Sequence, residues 1–378
     1  MMPRSFFFSI LPAVALLVFG LGCEASAPSD ETADASPEPE VTNGDAAAPG
    51  DAASSAAPLQ ITMLDVGQGD AVLLQSPEGQ TILYDGGPRR ADVLSQLRAL
   101  EIEQIDMIIA SHPHEDHIGG LPAVIEAYQP RFIIDSGMAH TTRTYERYLD
   151  AIEAAGSQLL DPDRQTIEFG PVDIEIVPPP NDEDLGLNDN SVGLLLTYGT
   201  FKASFYGDAE HDQFAWLLAN HPDLFPDVQV HKASHHASRN GDVREAIDQL
   251  RPQVVLAGIG ADNRYGHPHD EAMLLYDSVG AEVYRTDTHG TIRISARPDG
   301  TFDVEPTADV DALIAARCIN INAAAPDELV RITNVGPATA QGIADARPFS
   351  RLDDLTRVDG LAEASVQAIR DQGLACAE

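Results

Sequence analysis

Apolar and polar positions along the chain divide it into four stretches. Phe6 to Leu21 is apolar, interrupted by Pro12 and preceded by Arg4. It is shorter than the ~20 residues that span a bilayer as a helix, and it reads as an export signal over residues 1–23. Residues 24–57 hold Ala, Pro, Ser, Gly and acids, with no Lys or Arg. Such a stretch buries too little apolar surface to offset the entropy of ordering, so it reads as an acidic disordered linker. From Leu59 short apolar runs alternate with Gly-containing turns. Leu59–Val66, Ala71–Gln75, Thr81–Asp85 and Ile105–Ala110 predict strands, and Ala91–Leu100 has helical spacing. Helices are predicted at Leu121–Tyr128, Thr144–Ala155, Val243–Leu250 and Glu271–Val279. Strands are predicted at Phe132–Asp135, Val228–Lys232, Val254–Ile259 and Glu282–Arg285. Two hairpins complete the set, Ser191–Tyr198 with Lys202–Tyr206 and Thr291–Ser295 with Thr301–Glu305. This order predicts an α/β sandwich of mixed sheets covered by helices over residues 58–306. From Cys318 to the end there are no strand signals, only short Ala-rich helical segments broken at Val335-Gly336-Pro337 and Asp359-Gly360. Residues 318–378 therefore read as a second, small all-α domain.

Charge narrows the classes of partner. The formal charge of the 378 residues is −37. A protein that holds DNA by bulk electrostatics is basic, so any nucleic-acid contact here must use metals, local patches or backbone donors. The cysteines are Cys23, Cys318 and Cys376. Gly20-Leu21-Gly22-Cys23 resembles a bacterial lipobox, which would make Cys23 the site of lipidation and anchor the protein to a membrane. Ala25-Ser26-Ala27 offers ordinary signal-peptidase cleavage instead. Either places the protein outside the cytoplasm, in the cell envelope, periplasm or medium. There Cys318 and Cys376 can form a disulfide, a useful staple for a domain of roughly 60 residues.

The densest chemistry is Ser111-His112-Pro113-His114-Glu115-Asp116-His117-Ile118-Gly119-Gly120, directly after an apolar strand. His112 and His114 alternate, so both imidazoles can face one side of an extended loop, while Asp116 and His117 face a second position. Imidazole with carboxylate suits zinc, manganese or iron. One loop rarely completes such a shell. Tyr206-Gly207-Asp208 ends a strand with a carboxylate able to bridge two ions. The segments His231 to Ser238 and Arg264 to His269 follow other strand ends. Lys232 can pair with a phosphate, and His140, Thr141 and Thr142 are placed along the cleft.

Leu64-Asp65-Val66-Gly67-Gln68-Gly69-Asp70-Ala71, Tyr84-Asp85-Gly86-Gly87, the HPHEDHIGG segment, Leu187-Asn188-Asp189-Asn190-Ser191-Val192, Tyr206-Gly207-Asp208, Lys232-Ala233-Ser234-His235-His236 and Asn263-Arg264-Tyr265-Gly266-His267-Pro268 occur in this order. Together they resemble the metallo-β-lactamase-type hydrolase domain of ComEC-like competence proteins, over about residues 59–305. The resemblance implies an αββα sandwich holding two divalent ions, zinc or manganese, and no nucleotide cofactor. It implies His112, His114, Asp116, His117, Asp208 and His235 as metal ligands, with Asp208 bridging. Asp116 and His267 are the implied catalytic residues, His267 as proton donor or charge stabiliser. Lys232, His236 and Asn190 are the expected substrate contacts. Two departures stand out: the family's usual His between the first motif and the bridging Asp is absent, the Asn188–Ser191 run lying there, and Ala237 replaces a usual Gly.

Cys318-Ile319-Asn320-Ile321-Asn322-Ala323-Ala324, Val335-Gly336-Pro337-Ala338-Thr339-Ala340 and Val358-Asp359-Gly360-Leu361 resemble the helix-hairpin-helix DNA-binding domain of the ComEA type. The resemblance implies that Val335, Gly336 and Gly360 offer backbone N–H groups to a DNA phosphate. Asn334 stands where the first hairpin Gly is usual, and Ala362 where the second hairpin has its later Gly. The expected function is an exported metal-dependent phosphodiesterase or nuclease acting on DNA. Two alternatives stand beside it. One is a hydrolase of another phosphoester, ester or lactam, with the tail used for protein contacts. The other is a non-catalytic surface DNA-binding protein. Nothing in the sequence assigns an oligomeric state.

Overall fold

The computed structural model describes residues 57–261, 263–308, 319–372 and 375–377. The expected export signal, Cys23, all but the end of the linker, and Cys318 lie outside the described residues.

The strands of the first part are β1 (Leu59–Met63), β2 (Val72–Gln75), β3 (Thr81–Tyr84), β4 (Met107–Ile109), β5 (Phe132–Ile134), β6 (Gln158–Leu160), β7 (Thr166–Phe169) and β8 (Val172–Val177). They are followed by β9 (Gly193–Tyr198), β10 (Phe201–Phe205), β11 (Val230–Lys232), β12 (Val254–Ala257), β13 (Glu282–Arg285), β14 (Ile292–Ala296) and β15 (Phe302–Pro306). They form an 8-stranded sheet in the order β15-β14-β1-β2-β3-β4-β5-β6 and a 7-stranded sheet in the order β13-β12-β11-β10-β9-β8-β7. β3, β4, β5 and β6 run parallel to one another, as do β10, β11, β12 and β13.

Alternation along the strands sorts the layers. Val72, Leu74, Ile82 and Tyr84 join Ile174, Ile176, Phe201 and Phe205 in the core between the sheets. Their neighbours Leu73 and Leu83 turn outward to a second core with Val93, Leu97, Leu121, Val124, Tyr148 and Ile152. Those residues come from α1 (Val93–Ala99), α3 (Leu121–Tyr128) and α4 (Arg143–Ala155), the short α2 (Glu115–Ile118) lying before α3. A third core packs α5 (His211–Asn220), α6 (Arg244–Leu250) and α7 (Asp270–Asp277) on the other sheet through Phe214, Leu217, Ile247, Leu250 and Tyr276. The layers are helix, sheet, sheet, helix. Central strands are apolar on both faces because both faces are covered. Each such side chain contributes about 1.5–3 kcal/mol by burial.

The expected strand from Leu59 stops at Met63, because Asp65 to Asp70 must turn back beneath the His-rich loop. β6, β7 and β8 lie where no strand was expected. Val172–Val177 has a clean alternation, with Asp173 exposed and its apolar neighbours buried. β6 and β7 are short and largely exposed, so their apolar signal is weak.

Residues 319–377 enclose a core of their own, including Ile321, Leu329, Ile343, Leu355 and Ile369. Helices Pro326–Leu329, Pro337–Asp345 and Glu363–Gln372 surround it, and Ile319–Asn320 pairs in parallel with Ala375–Cys376. Cys376 is disulfide-bonded. No strand was expected in this segment; the two-residue pairing draws its ends together. Among the described residues no helix is long and apolar enough to cross a membrane.

Candidate metal centre

Parallel strands place their following loops at one edge of each sheet, and the two edges meet. Tyr84 donates its hydroxyl to Val192 O at 2.8 Å, and Val192 N donates to Ser111 O at 2.8 Å. Asp85 follows β3, the His-rich loop follows β4, Asp208 follows β10, and His235 and His236 follow β11. Gly69 has φ 140, and a side chain there would run into the Asp116 carbonyl. That close passage lets Asp70 N bond Asp116 O at 3.1 Å and delivers Asp70 beneath the loop.

Asp70, His117, Asp208 and His236 form a fully buried group whose donor atoms lie within 4.8 Å of one another. His117 Nε2 is 3.1 Å from Asp208 Oδ2 and 3.9 Å from Asp116 Oδ2. His236 Nε2 is 3.4 Å from both Asp116 Oδ2 and Asp208 Oδ2. His112 Nε2 stands 3.9 Å from the same Oδ2 and 2.9 Å from His114 Nδ1. Donors held at about 2.1 Å by a tetrahedral ion sit about 3.4 Å apart, so these separations fit a divalent cation. Both ring nitrogens of His236 are buried without a well-formed hydrogen bond, as is Asp208 Oδ1. Orphaned buried polar atoms of this kind are costly unless something else binds them.

The electrostatics agree. Burial alone would raise the Asp208 carboxyl, but His117 and His236 hold it well below the usual carboxylate range. Asp116 is likewise held low against burial by His117 and His236. Burial would lower His117 and His236, but carboxylates push both well up: Asp208 and Asp85 act on His117, Asp208 and Asp70 on His236. His112, with fewer carboxylates near, is pushed well down by burial and His117. A cation would replace the protons that these carboxylates now retain on the imidazoles.

The supporting residues are Asp85 and Lys232. Asp85 accepts from His117 Nδ1 at 2.8 Å, Ser111 N at 2.7 Å and Ser111 Oγ at 2.8 Å. Lys232 is fully buried, paired with Asp70, and donates to Gly207 O at 2.8 Å. Expected at the substrate, Lys232 instead lies inside the fold as counter-charge to Asp70. Neither Asp70 nor Asp85 was singled out as a site residue. The signal for Asp70 was its motif, Gly67-Gln68-Gly69-Asp70, where close glycines force a tight backbone beside a carboxylate.

His235 and His236 stand differently from expectation. His236, expected at the substrate, enters the buried group, whereas His235 Nε2 is 4.0 Å from Asp208 Oδ2 and its Nδ1 is 2.9 Å from Glu210 Oε1. His235, His236 and Ala237 have φ 47, 55 and 59, three successive left-handed residues. Such backbone costs about 1–2 kcal/mol per residue and persists only where surroundings hold it. Here His235 N donates to Gly207 O, Ser238 N to His235 O, and Asp242 accepts Ser234 N at 3.0 Å. Ala237 takes the conformation a glycine would supply, so the loop keeps its course.

Asn190 is not brought to the cleft. It is buried, with its amide tied to Asp182 and Gly186 backbone. Of the same run, Ser191 Oγ accepts Asp208 N at 3.1 Å and lies 3.4 Å from His112 Nδ1. Asn188 lines a cavity of about 350 Å³ with His114, Asp116, His140, Thr142, Asp208, His235, His236, Tyr265 and His267. Thr141 does not line it. Gly260 N donates to Gln68 Oε1 at 3.3 Å, which turns the Gln68 amide nitrogen toward His267 Nδ1 at 3.4 Å. The ring proton of His267 therefore sits on Nε2. Burial, with His236, His235 and His269, pulls His267 down to about 4, so it is a neutral donor near pH 7.

Two family models match parts of the chain. Residues 64–202 match the metallo-beta-lactamase superfamily, and residues 315–372 match the helix-hairpin-helix motif. The chain carries a metallo-β-lactamase hydrolase domain followed by a helix-hairpin-helix motif. Its relatives include ComE operon protein 3 of Bacillus subtilis, 26% identical over 66% of this chain and 35% of that protein. Recombination protein 2 of Haemophilus influenzae is 27% identical over 62% of this chain and 29% of its own. A deoxyribonuclease of Thioalkalivibrio is 34% identical over 18% of this chain and 20% of its own. The chain thus spans about a third, or less, of the length of these relatives. The metallo-beta-lactamase match, residues 64–202, lies within the αββα sandwich described above.

In the helix-hairpin-helix motif Asn334 has φ 60, a left-handed conformation that Asn tolerates, so the hairpin closes without the usual Gly. Gly360 has φ 92. Gly336 caps the helix Pro337–Asp345. Val335 is buried and donates its N–H to Ile332 O at 3.1 Å, so this N–H does not face a phosphate. Arg347 and Arg357 are engaged by backbone carbonyls, and Arg351 and Arg370 by Asp353 and Asp354.

Proposed function

We propose that this protein is an exported, metal-dependent phosphodiesterase that cleaves DNA. The observation that carries this reading is the convergence of Asp116, His117, Asp208 and His236 at donor separations suited to a cation, with Asp116, Asp208 and His236 on the wall of an open cavity. The helix-hairpin-helix motif in the same chain and the names of the relatives favour DNA as substrate. Export rests on the apolar segment before Cys23, where lipidation would attach the protein to a membrane.

Two ions, zinc or manganese, would be held by His112, His114 and Asp208 on one side and by Asp116, His117, His236 and Asp208 on the other. Bound there, they would polarise the phosphate and lower the pKa of water toward ~7. The chain itself supplies the remaining work. Asp208 Oδ2 lies within 3.9 Å of His112, His117 and His236 and so links the two imidazole sets. His267, neutral and with Nε2 protonated, donates to a phosphate oxygen or to the departing oxygen without adding positive charge. Gln68 keeps that tautomer. Gly336 and Gly360 hold the DNA backbone at the second domain without reading bases.

The test is incubation of the metal-loaded protein with single-stranded and duplex DNA, beside an Asp116→Asn variant and with metal content measured. Cleavage that needs added zinc or manganese and falls at least about a hundredfold in the variant supports the reading. Degradation no faster than in the variant removes it.

A further inference from the structure

Tyr265 differs from the other tyrosines. Tyr84, Tyr148, Tyr206 and Tyr276 are buried in the cores, whereas Tyr265 is 64% exposed on the wall of the catalytic cavity. Its ring stacks on His267, with centroids 5.7 Å apart and planes at 27°. The His267 ring is 6.1 Å from that of His236 and 5.5 Å from that of His235. A ladder of rings therefore leads from solvent to the carboxylate–imidazole group. Hydrogen bonds of Asn263 brace the segment that carries Tyr265. Asn263 donates to Gly260 O at 2.9 Å and His267 O at 2.8 Å, and accepts His267 N at 2.9 Å. The neighbouring Arg264 is exposed and in no ion pair among the described residues, while Arg164, Arg251 and Arg297 are paired with carboxylates.

An exposed aromatic on a hydrogen-bonded loop beside a phosphodiester-cleaving site has the form of a base platform, because every nucleobase offers a π-face. We propose that Tyr265 stacks a base of single-stranded DNA, with Arg264 against the adjoining phosphate, and so favours unpaired over duplex substrate. The inference rests on the DNA-phosphodiesterase reading. A paired base has both faces covered by its neighbours and must leave the stack before it reaches Tyr265.

The test compares wild type, Tyr265→Ala and Tyr265→Trp, each checked for an unchanged melting temperature, on a single-stranded oligonucleotide, its duplex, and an oligomer of abasic units with the same phosphates. In Tyr265→Ala, KM for the single strand rises roughly tenfold, the preference over duplex narrows, and the abasic oligomer shows no difference from wild type. Tyr265→Trp restores KM. An unchanged KM in Tyr265→Ala, or an equal loss on the abasic oligomer, overturns the proposal. If wild type cleaves no DNA, the DNA-phosphodiesterase reading fails by itself, and the same comparison made by oligonucleotide anisotropy still decides the stacking.

Discussion

Asp85 accepts the Nδ1 proton of His117 at 2.8 Å and thereby turns the opposite ring nitrogen toward Asp208, 3.1 Å away. An imidazole fixed in this way needs no reordering to bind an ion. Asp85→Asn is expected to lower metal affinity about 10- to 100-fold, as loss of such an orienting partner does. Competition with a zinc chelator measures it; an unchanged affinity would mean that His117 takes no part in binding.

The adjacent histidines give a second prediction. His236→Gln is expected to remove about one ion per chain and to lower activity on a chromogenic phosphodiester at least about a hundredfold. His235→Gln, which breaks the contact to Glu210, is expected to retain its metal. Elemental analysis of both proteins checks this, and the reverse pattern would assign His235 to the ion.

Lys232 and Asp70 are fully buried together. Lys232→Met leaves a buried carboxylate without its counter-charge, a change that costs about 3–5 kcal/mol. Urea unfolding is the measurement, and adding Asp70→Asn to Lys232→Met is expected to return part of the loss. Independent, additive effects of the two substitutions would count against the pairing.

Asp242 gives a pH dependence. It accepts from Ser234 N at 3.0 Å and Tyr276 Oη at 2.6 Å, and lies 3.1 Å from His231 Nε2. Burial would raise its carboxyl, but His231, Tyr276 and Ser234 hold it below the usual value. A depressed carboxyl contributes stability that is present above its unfolded pKa of about 3.9 and is lost as pH falls through the folded value. The stability gap between wild type and Asp242→Asn is therefore expected to be constant from pH 7 to about 5 and to shrink below about 4. A gap that widens on acidification would reverse the sign argued here.

The legible parts of this protein are those whose signal is local. Ser111 to Gly120 concentrates imidazoles and carboxylates after an apolar strand, and the structure gathers His112, His114, Asp116 and His117 close to Asp208. Choosing between His235 and His236 was not possible from spacing, because three left-handed residues, held by Gly207 and Asp242, decide which ring turns inward. Lys232 read as a substrate contact because its partner Asp70 is far away in sequence and on the other sheet. β6 and β7 went unseen for a related reason: exposed strands keep few apolar residues, and their pairing partners supply the order.

His112, Asp116 and His117 come from a loop of one sheet, while Asp208 and His236 come from the other. Ions held among these residues would rivet the two halves of the sandwich face to face. Loading and closure then become one equilibrium, and a cell compartment poor in zinc or manganese would hold a looser molecule that proteases reach more easily.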